Sequence, residues 1–303
     1  MMKKFVCKTI VFLLPALLFL ALSELSVRWL PNTYKYKDEW MWANGHRVRT
    51  LLLGNSHAYF SLVPSLIGDS IFNLANVSQR LEHDYYLLKR YEQACPHLKQ
   101  VVLVADNSCL FDPPMENDEP ARVAYYQIYM GYRAHPMLSK YGFELANIGY
   151  FCQKFRFYMQ GESLGCDSLG WGNNHVAAHR NPDDFLPEHI REHLFVNWEY
   201  TLRNRSYMDS IASWCQQRKV QLVLLQTPVC KAYRHKASPW QLQLVRQMTD
   251  SCCQSFGAVA ADFSSDSRFT DDDFFDSDHL ADGGARKFSA IFSDYLRSLS
   301  EKN

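Results

Sequence analysis

The chain has no excess of either charge: 32 Lys and Arg stand against 32 Asp and Glu over 303 residues. It has no Lys/Arg block, which removes the usual footprint of a DNA- or RNA-binding protein, so no nucleic-acid partner is expected. It has nine cysteines but no C-x-x-C pair, which argues against a zinc ribbon. It has no internal repeat and no low-complexity tract. What remains is an ordinary globular composition, 47% hydrophobic and 21% charged. That length suffices for one sizeable α/β domain or two small ones.

The N-terminus departs from this average. Lys3, Lys4 and Lys8 precede an uncharged run of 15 residues from Thr9 to Ser23. The run is short for a spanning helix of about 20 residues and suits the core of a signal peptide. Ala21 and Ser23 have the small-residue spacing of a cleavage site. Val27, Trp29 and Leu30 carry the apolar character past Glu24, which favours a retained anchor with the three lysines on the cytoplasmic side. Residues 1–30 are therefore expected to form a signal anchor, with a cleaved leader or a buried terminal helix as alternatives. Anchor and leader both place the body outside the cytoplasm, in the periplasm, at the cell surface or secreted. Disulfides persist in such compartments, and eight cysteines remain beyond Cys7, either as bridges or as buried thiols.

Residues 31–47 are polar and aromatic and read as a connector. From 48 to 303 the pattern is that of an α/β domain. "RTLLLG" and "SIFNLA" read as short strands, followed by a helix over about 79–95 and a strand in "KQVVLVAD". Residues 107–195 break the rhythm and read as a largely helical insertion, either a lid or substrate wall or a plain added layer. Order returns with a helix near 198, the strand "VQLVLLQTP", and a helix that Ser238 caps with Pro239 in its first turn. The strand "AVAADFS" and a closing helix from "DGGARKFS" follow. This order predicts a parallel sheet with covering helices.

The chemistry is expected at two places. "GNSH" ends the first strand with Ser56 and His57 side by side. Adjacent side chains diverge, so His57 is a poor base for Ser56. "DSDHL" lies just before the last helix. There Asp276 stands three residues before His279, a spacing that lets the carboxylate orient the imidazole while its other nitrogen takes the serine proton. Asp278 is too close to His279 for that role, so Asp276 is the expected partner. Strand C-termini are where open α/β sheets place ligands.

These two motifs resemble those of the SGNH/GDSL hydrolase superfamily. "GNSH" resembles its first motif, with Ser56 as nucleophile, and "DSDHL" its last, with Asp276 and His279. The middle motifs depart from the pattern: "FNLANVSQ" lacks the usual glycine, and "VADNSCLF" carries Asn107 without the usual GxND. Asn76, Ser78 and Asn107 therefore join the Ser56 N–H as oxyanion candidates. The anchor and the terminal motif resemble one branch, the membrane-tethered extracytoplasmic proteins that include the teichoic-acid D-alanyl transfer protein and alginate O-acetylation proteins. The resemblance implies a three-layer α/β/α, flavodoxin-like domain. It implies a serine esterase or O-acyltransferase acting on acyl esters of cell-envelope glycans, with no cofactor and no metal. It further implies a membrane-bound acyltransferase as partner.

Two other readings stand beside it. One is a non-catalytic protein of the same fold that binds a glycan or an assembly partner. The other is a zinc peptidase, because "HIREH" (His189 to His193) matches H-x-x-E-H and "HVAAH" repeats the spacing at His175 and His179. A solvated helix face explains the first of these more simply. "NVS" at 76 and "NRS" at 204 match glycosylation acceptors and read as chance matches.

Overall fold

A computed structural model describes residues 2–161, 164–185 and 197–301. Helix α1 spans Met2–Trp29 and α2 spans Thr33–Asn44. Strand β1 (Thr50–Leu53) leads into the short helices α3 (Ser56–Ser61) and α4 (Pro64–Ile67), then β2 (Ile71–Asn73), α5 (Leu81–Arg90) and β3 (Gln100–Val104). Four helices follow: α6 (Asn107–Phe111), α7 (Met115–Asp118), α8 (Pro120–Tyr129) and α9 (Ile148–Met159). The chain closes with α10 (Trp198–Gln217), β4 (Gln221–Gln226), α11 (Lys231–Lys236), α12 (Pro239–Phe256), β5 (Val259–Asp262) and α13 (Asp282–Ser300).

The chain divides into two compact units. One comprises Met1–Tyr36 with Glu119–Leu164, the other Lys37–Asp118 with Gly165–Asn303. The second holds a five-stranded sheet of order β2-β1-β3-β4-β5, with every pairing parallel. Helices cover both faces, giving a three-layer α/β/α domain. Parallel strands are buried on both sides, and their sequences show it. Leu51, Leu52 and Leu53, Val101 to Val104, and Val223 to Leu225 are all buried. Each such side chain contributes about 1.5–3 kcal/mol by leaving water. The order 2-1-3-4-5 puts the topological switch between β1 and β3, where doubly wound sheets open a crevice.

β1 stops at Gly54, whose φ is +125°. A Cβ there would lie 2.9 Å from Cβ of Val104 on the neighbouring strand. Both the backbone angle and the close approach require glycine. Gly54→Ala is expected to cost about 3 kcal/mol through strain and overpacking, read as a lower midpoint in urea unfolding.

α13 locks the far end of the sheet to the segment after β1. Ser289 Oγ accepts from Val63 N at 2.8 Å, and Ser293 Oγ donates to Ile67 O at 3.0 Å. Phe288 and Phe292 on the same helix are fully buried, with Phe263 edge-on to each.

The structure answers several of these expectations. Residues 31–47, read as a connector, contain helix α2, started by Asn32 Oδ1 accepting from Lys35 N at 2.9 Å. The helix expected over 79–95 is shorter, Leu81–Arg90, with Glu82 and Asp84 in its first turn and Lys89 and Arg90 in its last. The break expected over 107–195 is divided between the units. Residues 119–164 belong to the first, while 165–185 belong to the second as loop with two short 3-10 turns, Ala177–His179 and Pro182–Phe185. That loop is fixed by Trp171 Nε1 donating to Phe60 O at 2.7 Å and Gly172 N to Tyr59 O at 2.9 Å. The eight described cysteines are all free thiols, six of them buried. Asn76 and Asn204 are buried, and Asn204 Nδ2 donates to Leu110 O and Asp112 O, so neither sequon is presented to solvent. His189 to His193 lie outside the described residues.

Candidate active site

Ser56 opens α3 directly after Gly54 and Asn55. Asn55 caps that helix, its Oδ1 accepting from His57 N at 2.9 Å. Asn55 Nδ2 in turn donates to Ser108 Oγ at 2.5 Å, tying the end of β1 to the segment after β3. Beneath the turn, Asp84 Oδ1 accepts from Gly54 N at 2.9 Å and from Gln79 Nε2 at 2.6 Å. The turn that presents Ser56 is thus held from both sides.

His279 arrives on a tight loop between Phe274 and Leu280, which form an isolated antiparallel bridge. Asp276 Oδ1 accepts from the backbone N–H of both Asp278 and His279, at 3.1 and 2.8 Å. The same carboxylate faces His279 Nδ1, with its two oxygens at 2.9 and 3.0 Å. His279 Nε2 lies 2.7 Å from Ser56 Oγ. The two motifs, 223 residues apart, therefore meet within hydrogen-bond reach, with Asp276 behind the imidazole. This geometry fits Nδ1 as donor to Asp276 and Nε2 as acceptor from the serine hydroxyl.

Around this line lies a set of groups that sequence reasoning missed. His57 turns away from Ser56 and bridges two carboxylates: Nδ1 to Asp106 Oδ2, and Nε2 to Asp278 Oδ2 at 3.2 Å. Burial alone would depress the His57 pKa, but Asp106 first and Asp278 second outweigh it and hold the ring cationic, well above the usual range. Burial opposes charge on Asp106 too, and the His57 imidazolium overrides it, holding that carboxyl well below the usual range. Asp278 Oδ1 lies 3.6 Å from His279 Nδ1, farther than Asp276. His57 thus engages the carboxylate that would otherwise compete for the site histidine. The signal available in the sequence was the Asp that ends "VAD", a polar group just past the C-terminus of β3.

His175, from the loop after residue 164, is the second omission. Its ring stacks between Phe60 at 3.5 Å and Phe275 at 4.2 Å, edge-on to His279 at 5.4 Å between centroids. Burial and then the nearby His279 push its pKa down to about 3, so it is neutral. It forms an aromatic wall beside the site histidine. His179 of the same "HVAAH" is exposed.

The oxyanion candidates separate. The Ser56 N–H sits in the first turn of α3 and has no acceptor among the described residues. Asn107 starts α6 at the end of β3 and is buried. Asn76 instead turns inward, donating to Gln79 Oε1 at 3.2 Å and Leu74 O at 3.5 Å. Ser78 has φ +58°, a conformation that normally favours glycine.

His57, Asp278 and His279 also bring three potential metal-ligand atoms within 4.8 Å of one another. These nitrogens and oxygens are already engaged with Asp106, Asp276, Ser56 and one another.

Asp84 gives the site a pH signature. Burial pushes its carboxyl up to about 7, against the opposing bonds from Gln79 and Gly54. The folded chain then binds this proton more tightly than the unfolded one. The stability it contributes is full below the unfolded value near 3.8 and is lost as pH rises through about 7. Asp84→Asn keeps an acceptor for Gly54 and Gln79 and has no such loss. Its melting temperature relative to the native chain is expected to rise between about pH 5 and pH 8; an equal difference at both would contradict this.

The sequence matches no protein-family model and no curated protein. Solved structures similar to the fold include one from Streptococcus pneumoniae provisionally named a platelet activating factor. It is 12% identical with a TM-score of 0.45, covering 95% of this chain and 99% of that one.

Proposed function

We propose that this chain is an SGNH-type serine esterase or O-acyltransferase. The reading rests on one observation: Ser56 Oγ lies 2.7 Å from His279 Nε2, with both Asp276 oxygens within 3.0 Å of Nδ1, beside the β1/β3 crevice. In this reading Ser56 Oγ attacks the ester carbonyl while His279 Nε2 takes its proton. The same nitrogen returns the proton to the leaving alcohol. Asp276 holds the tautomer and stabilises the imidazolium without taking the proton itself. The Ser56 N–H and the Asn107 amide supply the oxyanion donors, each worth about 3–4 kcal/mol in the transition state. The acyl-serine then passes its acyl group to water or to a sugar hydroxyl. An acyl ester of a cell-envelope glycan is the substrate class that fits a body tethered by α1, and a membrane-bound acyltransferase is the partner that would supply acyl groups.

Turnover of short p-nitrophenyl acyl esters tests the reading. A burst equal to the enzyme concentration is expected, followed by slow release that a sugar acceptor accelerates. Asp276→Asn is expected to lower kcat by about 10⁴-fold with the fold intact, because the amide favours the wrong imidazole tautomer. Chelators are expected to leave the rate unchanged. A binding protein without catalysis would show no burst, and would keep its cellular role with Ser56→Ala.

A further inference from the structure

We propose that helix α9 is a second membrane-contact element, seated in the lipid–water interface beside the exit of α1. The unit formed by residues 1–36 and 119–164 carries the argument by itself. α1 is 28 residues long with a mean hydropathy of 2.4 over its most apolar window, and is long and apolar enough to cross a bilayer. Its last turns are built into the unit. Glu24 accepts from the backbone N–H of Glu144 and Leu145, both at 3.0 Å. Arg28 donates to Glu24 Oε1 at 2.8 Å and to Gly142 O at 2.7 Å. Lys154, on α9, donates to Val27 O at 3.1 Å and to Glu144 Oε1 at 2.8 Å. α9 is thus pinned within one turn of the point where the apolar helix ends.

Among the described side chains of α9, Lys154 is buried, while Ile148, Cys152, Phe155 and Met159 form an exposed stripe at helical spacing, flanked by exposed Arg156 and Tyr158. Ile148 is 68% exposed, Phe155 47% and Met159 67%; Leu138 on the same unit is 89% exposed. A soluble surface rarely leaves such a stripe uncovered. Its position beside α1 assigns the bilayer as the cover. The charge agrees. This unit holds ten Lys and Arg against four Asp and Glu, while the rest of the neutral chain holds 22 against 28. A basic, aromatic-rich unit with an apolar stripe suits an interface containing anionic headgroups.

The test uses the full chain reconstituted in phosphatidylethanolamine–phosphatidylglycerol vesicles. Cys152 supplies a native labelling site on the stripe, with Cys7→Ser and Cys253→Ser removing competing thiols. A nitroxide there is expected to collide severalfold more with oxygen than with a water-soluble nickel chelate, relative to a nitroxide at Gln217→Cys on the other unit. Serine at Ile148, Phe155 and Met159 together, all exposed and so without effect on folding, is expected to return the Cys152 label to nickel. Equal accessibility at Cys152 and Gln217→Cys in the unsubstituted chain overturns the proposal. So does shielding from both reagents with dipolar broadening that disappears on dilution into excess lipid, which would assign the stripe to a second protein copy.

Discussion

Ser56→Ala is expected to abolish ester turnover, with kcat falling by about 10⁶-fold, and His279→Ala to fall as far. The two losses are not additive. Oγ and Nε2 share one proton across 2.7 Å, so removing either ends the same step. The double variant is therefore expected to match each single one. Residual rate over water would come from the Ser56 N–H and Asn107, which neither substitution removes. Stability separates this from damage. Ser56 is a half-buried surface serine at a helix start, and its loss is expected to change unfolding by no more than about 0.5–1 kcal/mol. An enzyme equally active after Ser56→Ala, or a double variant far slower than either single one, would contradict the proposed roles.

His57→Gln is expected to cost about 3–5 kcal/mol, the largest stability effect of any single substitution here, because it leaves Asp106 and Asp278 buried without their cation. For a chain of this size that is a fall in Tm on the order of 10 °C. The sign with pH follows from both partners. His57 is raised, so its contribution is full below the unfolded value near 6.5 and is lost as pH rises through its folded value. Asp106 is depressed, so its contribution is full above the unfolded value near 3.8 and is lost as pH falls through its folded value. The penalty of His57→Gln should be greatest between those limits and shrink at alkaline pH. Asp106→Asn in the same chain removes one stranded carboxylate and is expected to recover part of the loss. Activity offers a separate reading. With Asp278 released, its carboxylate competes with Asp276 for His279 Nδ1, so kcat should fall at unchanged KM.

Much of this arrangement was legible before any coordinates. The apolar runs of β1, β3 and β4 announce buried parallel strands, since no face of them is polar. "GNSH" and "DSDHL" are local patterns, and their residues are the ones the fold brings within 2.7 Å. The rest depends on through-space relations that no window of sequence contains. His57 reaches Asp106 and Asp278 across 49 and 221 residues, and its charge exists only because both meet it in a buried place. Asp278 was set aside for its nearness to His279 in sequence, yet it is what His57 holds. His175 stands in a stretch without periodicity, and its stacking on Phe60 and Phe275 depends on where its loop packs. α2 was hidden because it is neither strongly apolar nor cleanly amphipathic, and its start rests on one side-chain bond from Asn32. α9 was legible only as part of a largely helical insertion, because the exposure of Ile148, Phe155 and Met159 depends on packing that no window of sequence contains.

The central claim is that Ser56 is an activated nucleophile, and covalent capture tests it most directly. The folded chain is treated with a fluorophosphonate, its intact mass is measured, and the modified peptide is mapped. One adduct per chain on Ser56 is expected, lost in His279→Ala although the serine remains. Adducts on another residue, or none on a chain whose melting shows it folded, would contradict the account.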